Sequence, residues 1–176
     1  MFNPELPTTE PIEQSDNEQK EQSVEIVRGT FEDFWKFNTK LQEKYPDRDW
    51  VSDFALSMIS QSNASEVYLA QLNGEVVGAL LGELQPHFHG HFLQVDLEYQ
   101  NQGVAKDLLQ QAMKEHGHFS LIAVPYGLPE DMTYEEEMKR EAALIRYYKS
   151  LGFKPELGKP GDHLTWKNEE DGATPS

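Results

Sequence analysis

The fold is decided by residues 87–117, HFHGHFLQVDLEYQNQGVAKDLLQQAMKEHG, in which a strand, a polar turn and a helix follow one another directly. The strand, 87–97, alternates its side chains between two faces, and the alternation predicts one shared face for His91, Leu93, Val95 and Leu97. Leucine and methionine then recur at helical spacing as far as Gly117, which predicts a helix over 105–117.

The turn at 100–106, QNQGVAK, has the composition of a phosphate-binding turn. Gly103 and Ala105 are small, so the backbone can approach a ligand closely, and the first amides of the helix are free to donate. Such amides bind phosphate oxygens, and Lys106 adds a positive charge. Ordinary strand-to-helix turns share these features, so the turn by itself leaves both interpretations open.

The segments before residue 87 predict a strand, two helices and a hairpin. Residues 24–27 form a short strand that ends near Gly29. Thr30 caps a first helix that ends at Pro46. A second helix is predicted over 50–61, and the hairpin over 66–85 turns at Asn73-Gly74.

The segments after residue 117 predict a strand, a helix and a closing strand. The apolar run 119–125 is a buried strand, and Thr133 opens a helix with a capping-box sequence that ends at Gly152. Residues 164–166 form the last strand. The order predicts an α/β fold, a mixed α+β sheet flanked by helices in a single domain over residues 23–166.

Composition narrows the possible classes of protein. The chain has 176 residues, a formal net charge of −16, 38% hydrophobic residues and no cysteine. The acidic charge argues against a nucleic-acid partner, and the missing cysteine excludes disulfides and a thiolate nucleophile. No apolar run spans a membrane, and residues 1–22 lack a secretory signal, so we expect a cytoplasmic protein with no membrane partner. Residues 1–22, an acidic tail, and 167–176 are predicted to be disordered.

Two segments resemble the GNAT superfamily of acyl-CoA-dependent N-acyltransferases. Residues 100–105, QNQGVA, are similar to its Gln/Arg-x-x-Gly-x-Gly/Ala motif, and residues 144–153, LIRYYKSLGF, are similar to its closing helix, which ends Tyr-x-x-x-Gly-Phe. The resemblance covers residues 23–166. It implies a GNAT-like fold and acetyl transfer from acetyl-CoA, its co-substrate, to a primary amine.

The resemblance also implies which residues hold coenzyme A. The backbone of Leu93, Gln94 and Val95 would bind the pantetheine arm like an added strand. The turn would hold the pyrophosphate through Gln100, Asn101, Gln102, Gly103, Val104, Ala105 and Lys106. Glu141 stands where family members often have asparagine, and the insertion 127–139 precedes the closing helix.

Transfer to an amine requires a base, because alkylamines are protonated at neutral pH. His89 and His91 share one face of the strand, and their ordinary pKa of about 6.5 suits this task. The pair resembles the His-x-His pair of aralkylamine N-acetyltransferases, which relays the proton through water. Tyr148 matches the family tyrosine and would protonate the departing sulfur. Glu83, on the neighbouring strand, is a second candidate base.

A metal-site interpretation of the histidines remains open at this stage. His87, His89 and His91 alternate, and zinc sites use His-x-His on strands. The three positions span roughly 13 Å, so a single ion would need a bend in the strand and a further ligand. We therefore predict no metal.

Three functions compete on the sequence alone. The first is an N-acetyltransferase that acts by direct transfer on a small-molecule or protein amine, as a monomer or homodimer. The second is a catalytically silent acyl-CoA-binding sensor or interaction module. The third is a metal-binding structural protein built on the histidine strand.

Overall fold

The computed structural model describes residues 23–60 and 62–169. The predicted tail at 1–22, and residues 170–176 of the second predicted tail, lie outside the described residues, so their disorder stays a prediction. The last strand ends at Lys167, one residue past the predicted end of the domain. No helix in the described ranges is both long and apolar enough to cross a membrane.

The described residues form four α-helices and nine strands. The helices are α1 (Phe31–Lys44), α2 (Asp53–Ile59), α3 (Val104–His116) and α4 (Tyr134–Ser150). The strands are β1 (Glu25–Gly29), β2 (Arg48–Asp49), β3 (Ser65–Leu72), β4 (Glu75–Leu84), β5 (Phe88–Val95), β6 (His118–Ile122), β7 (Leu128–Pro129), β8 (Lys154–Pro155) and β9 (His163–Lys167). This confirms the predicted α/β fold class.

Seven strands form one mixed sheet in the order β1-β3-β4-β5-β6-β9-β8. All neighbours are antiparallel except β5 and β6, which are parallel and connected through α3. Helices α1 and α2 cover one face, and α3 and α4 cover the other. The sheet therefore separates two cores. We name each core, and the face of the sheet that it covers, after its helices: α1/α2 and α3/α4.

Local signals in the sequence explain several of these elements. Thr30 caps α1 and Thr133 caps α4, each with a reciprocal capping box. The hairpin turn holds Asn73 at φ 53° and Gly74 at φ 81°, a left-handed pair that suits these two residue types. The predicted hairpin and both predicted caps are confirmed.

Several boundaries differ from the prediction, and β5 ends at Val95 instead of residue 97. Helix α2 begins at Asp53, where Ser52 caps it, and not at residue 50. Trp50 precedes the helix and is buried in the α1/α2 core, so its apolar character reflects burial and not helical periodicity. Strand β6 ends at Ile122, three residues before the predicted end of the strand.

The insertion at 127–139 contains a strand that the sequence did not predict. Leu128 and Pro129 form β7, which pairs with β2 in the loop between α1 and α2. Gly127, at φ 73°, lies so close to the ring of Trp50 that a Cβ at this position would be about 2.6 Å from it. The pairing joins two loops that are distant in the sequence.

The predicted shared face on β5 is wrong for two reasons. Leu93 and Val95 pack on the α3/α4 face, whereas Leu97 packs on the α1/α2 face. The β4–β5 register shifts between Leu81 and Gly82, so one extra residue of β5 is accommodated there. This bulge precedes Leu93, so it breaks the alternation between His91 and Leu93. Leu97 leaves the shared face for another reason, because β5 ends at Val95 and Leu97 begins a 3-10 turn over Leu97–Tyr99.

Candidate active site

A cleft opens through the sheet where β5 and β6 separate. The two strands pair only across 88–90 and 119–121. Beyond Gly90, no strand pairs with the β6-facing edge of β5 within the described residues, and this edge carries residues 91–95. The cleft is lined by residues from both faces, including Phe92, Leu93, Leu109, Leu121, Tyr126 and Tyr148.

The bulge in β5 lies at the closed end of this cleft. Leu81 pairs with Phe92 and Gly82 pairs with Gly90, so His91 is the extra residue of the bulge. A Cβ on Gly82 would come about 2.5 Å from the carbonyl oxygen of His89. Only glycine fits there, so the bulge depends on this residue as well as on β5.

Glu83, His89 and His91 come together beside the bulge. Glu83 lies directly opposite His89 in the β4–β5 register. The His91 Nε2 and Glu83 Oε2 atoms are 2.7 Å apart. The rings of His89 and His91 meet edge to face with their centroids 4.9 Å apart. The structure thus brings together the three residues that the sequence singled out as bases.

The electrostatic setting differs among these groups. A hydrogen bond from Ser62 is the largest cause that lowers the pKa of Glu83, and the contact with His91 lowers it further. Burial lowers the pKa of His89, and the neighbouring His91 and His87 add to this shift. Glu83 is therefore a weaker base than an ordinary glutamate and orients His91, whereas His89 is neutral at pH 7.

Tyr148 reaches the cleft from α4, on the opposite face of the sheet. It is 4% exposed, and its ring packs against Phe153 with the centroids 5.7 Å apart. Burial raises the pKa of its phenol, so the group keeps its proton at neutral pH. A protonated phenol in the cleft can donate to an atom bound between the strands.

The turn has the backbone of an anion-binding segment. Asn101 and Gly103 have φ of 61° and 84°, and α3 begins directly after Gly103. A Cβ at Gly103 would meet no atom within 4 Å, so the space in front of it is open. The Gln102 Nε2 donates to the Glu98 carbonyl at 2.9 Å, and this bond stabilises the turn.

The alternating histidines of β5 make hydrogen bonds and ring contacts in the described structure. No group of three or more His, Asp or Glu side chains in the described part of the chain is arranged to bind an ion. His87 and His89 instead share a hydroxyl partner, Ser120, at 3.0 and 2.8 Å. His87 also stacks on His118, with the centroids 3.7 Å apart.

Two residues of the site were missed by the sequence analysis. Ser120 lies within an apolar run, FSLIAVP, and its single hydroxyl was the only signal available. Tyr126 leaves the sheet after Pro125, lines the cleft, and meets Phe92 edge to face at 5.7 Å. Burial raises the pKa of Tyr126 to about 12, and Asp49 contributes.

Comparison with protein families identifies the class. The acetyltransferase (GNAT) domain model matches residues 63–155, more than half of the chain. The chain therefore belongs to the GNAT acetyltransferase family. No curated protein matches it.

Solved structures show the same fold at low sequence identity. A GNAT-family protein from Desulfovibrio desulfuricans is 13% identical, with a TM-score of 0.56 over 82% of this chain and 99% of its own. The PaiA N-acetyltransferase of Thermoplasma acidophilum, solved in complex with coenzyme A, is 17% identical, with a TM-score of 0.51 over 83% and 99%. A ribosomal-protein-alanine N-acetyltransferase from Escherichia coli is 17% identical, with a TM-score of 0.52 over 81% and 91%.

Proposed function

We propose that this chain is an acetyl-CoA-dependent N-acetyltransferase that transfers the acetyl group directly to a primary amine. The observation that carries the proposal is the cleft between β5 and β6. Its closed end bears Glu83, His89 and His91, and its open end lies beside the amino terminus of α3. Donor binding and proton removal thus have separate places along one cleft.

The donor would bind along the unpaired edge of β5. Backbone groups of Leu93, Gln94 and Val95 would bind the pantetheine arm as an added strand does. The amides from Asn101 to Lys106 would hold the pyrophosphate at the positive end of α3. The open space at Gly103 and the unpaired edge support this fit. When bound, acetyl-CoA supplies an acetyl thioester at the closed end of the cleft.

His89 and His91 would take the proton from the acceptor amine. A neutral imidazole is required for this step, and the lowered pKa of His89 keeps it neutral at pH 7. Glu83 would accept a hydrogen bond from the Nε2–H of His91 and so fix the orientation of that ring. The histidines lie beside Phe92, which packs on the α1/α2 face, so the amine would approach from that face.

Tyr148 would give its proton to the departing thiolate from the α3/α4 face. Its buried phenol is protonated at neutral pH and lines the same cleft. Base and acid would then act from opposite faces of the sheet, the base on the amine and the acid on the departing sulfur. The chain has no cysteine for a thioester intermediate.

The acceptor is a primary amine of a small molecule or of a protein. The Escherichia coli neighbour is described as acting on an alanine of a ribosomal protein, which supports the amine class and no particular substrate. We propose a cytoplasmic location, as the sequence analysis expects.

A panel of amines with acetyl-CoA tests the proposed function. Release of coenzyme A should depend on the amine, and one acetyl group should be added per thiol released. Binding of acetyl-CoA without release for any amine would instead favour the silent acyl-CoA-binding module.

A further inference from the structure

Ser120 bridges two histidines on the α1/α2 face. Its Oγ lies 2.8 Å from His89 Nδ1 and 3.0 Å from His87 Nε2. The residue is 4% exposed, so solvent cannot replace these contacts easily. Ser120 pairs with His89 in the parallel β5–β6 register, in the last section before the strands separate.

A serine hydroxyl has one proton to donate and lone pairs that accept. If His89 donates from Nδ1, the hydroxyl can donate to His87 Nε2. If the hydroxyl donates to His89 Nδ1 instead, the proton of neutral His89 is on Nε2. Only the first arrangement leaves a free lone pair on His89 Nε2, and a base needs that lone pair.

Several other groups act on His89. His91 and His87 lie on its own strand, Glu83 lies opposite on β4, and Ser120 lies on β6. Glu156 and His163 act on it from the β8–β9 side. Among these groups, only Ser120 makes a hydrogen bond to the His89 ring in the described structure. The tautomer of His89 is thus controlled at one contact.

We propose that Ser120 is a positioning residue for His89. The Ser120 hydroxyl accepts a hydrogen bond from the His89 Nδ1–H and so keeps the lone pair on Nε2, the ring atom directed away from β6. The inference rests on the proposed function, because it assigns Ser120 a role only if His89 is the base. The hydroxyl proton is then directed to His87, which acts as the second acceptor of the bridge.

Nitrogen-15 spectra of the histidine rings in the wild-type protein test this inference without any variant of Ser120. The His89 signals are assigned by their absence in His89→Gln. The expected result at pH 7.5 or so is a proton on Nδ1 and an unprotonated Nε2. A proton on Nε2 of resting His89 would overturn the inference.

The kinetic test uses Ser120→Ala, with Ser120→Thr as the variant that retains the hydroxyl. Ser120→Ala should lower kcat/KM by about threefold to tenfold, the worth of one hydrogen bond. The acid limb of its pH profile should move to lower pH, because the bond to Ser120 favours the charged imidazolium. Ser120→Thr should restore both kcat/KM and the position of the acid limb to their wild-type values. A purely structural role would lower the melting temperature and leave the limb in place.

Thr165→Val is the matched control, because its hydroxyl contacts His118 on the next pair of strands at 3.1 Å. It should leave the acid limb unchanged. An unmoved limb in Ser120→Ala, together with a large loss in the His89 variant, would overturn the Ser120 inference alone. An unchanged rate in a variant that carries both His89→Gln and His91→Gln would overturn the proposed base itself.

Discussion

The turn at 100–106 and the cluster of Glu83, His89, His91 and Ser120 are built in different ways. The turn uses consecutive residues and offers backbone amides, so its chemistry depends on glycine and on the start of a helix. The histidine cluster uses side chains from three strands, and its geometry depends on a bulge. A local site can therefore be recognised from its residues, whereas a cross-strand site requires the register.

The largest effect that separates the two regions is expected from His89→Gln with His91→Gln. The rate should fall by about 10² to 10⁴ near neutral pH, the usual worth of a general base. High pH should partly restore it, because the free amine then forms without help. Affinity for acetyl-CoA, measured by calorimetry, should stay at the wild-type value. A full rate at pH 7 would exclude the relay and make Glu83 the leading base.

Tyr148→Phe should have the next largest effect, near the low end of about 10². A thiol with a pKa of about 8.5 departs more readily than an alkoxide, so the acid contributes less than the base. The loss should persist at high pH and shrink with a donor whose thiol is more acidic. Tyr147→Phe, on the same helix, is the control. Equal losses in the two variants would remove the acid role.

The pH dependence of kcat/KM in the wild-type protein should reflect the pKa of His89, and this effect is smaller than those of the two variants. Its pKa is lowered by burial, so the fraction of neutral base stays high until the pH falls below the ordinary value of about 6.5. kcat/KM should accordingly decline with falling pH only in that acidic range. A limb centred above pH 7 would mean that another group is the base.

Removal of residues 1–22 should have the smallest effect. The segment has no apolar periodicity, so its loss should leave the melting temperature and the affinity for acetyl-CoA unchanged. A large drop in melting temperature would contradict the sequence analysis. Loss of activity alone would assign the tail to regulation or acceptor binding.

The success of the sequence analysis differs between the same two regions. The hairpin at Asn73-Gly74 and the two capping boxes were predictable because each depends on neighbouring residues. The common face of Leu93 and Leu97 was predicted wrongly because β5 ends at Val95 and Leu97 begins a 3-10 turn. His91 was wrongly placed on the face of Leu93 because the bulge opposite Gly82 shifts the register between them. No residue pattern in the sequence predicts that register shift.

The same reasoning explains the parts of the site that were missed. Ser120 joins the cluster only because β5 and β6 are parallel neighbours, and β7 forms only because it meets β2 from another loop. Both are long-range pairings. Their residues carry no local signal beyond a hydroxyl in an apolar run and a glycine that fits against Trp50.

Calorimetry of acetyl-CoA with the wild-type protein and with Gly103→Asp tests the central claim most directly. The variant places a carboxylate at the proposed pyrophosphate site, on a backbone with φ of 84°. Gly158→Asp is the matched control, because Gly158 has φ of 77° and equally open space in another loop. We predict binding to the wild type and to Gly158→Asp, and a loss of at least about tenfold in Gly103→Asp with the fold retained. Equal affinity in all three proteins would contradict the account.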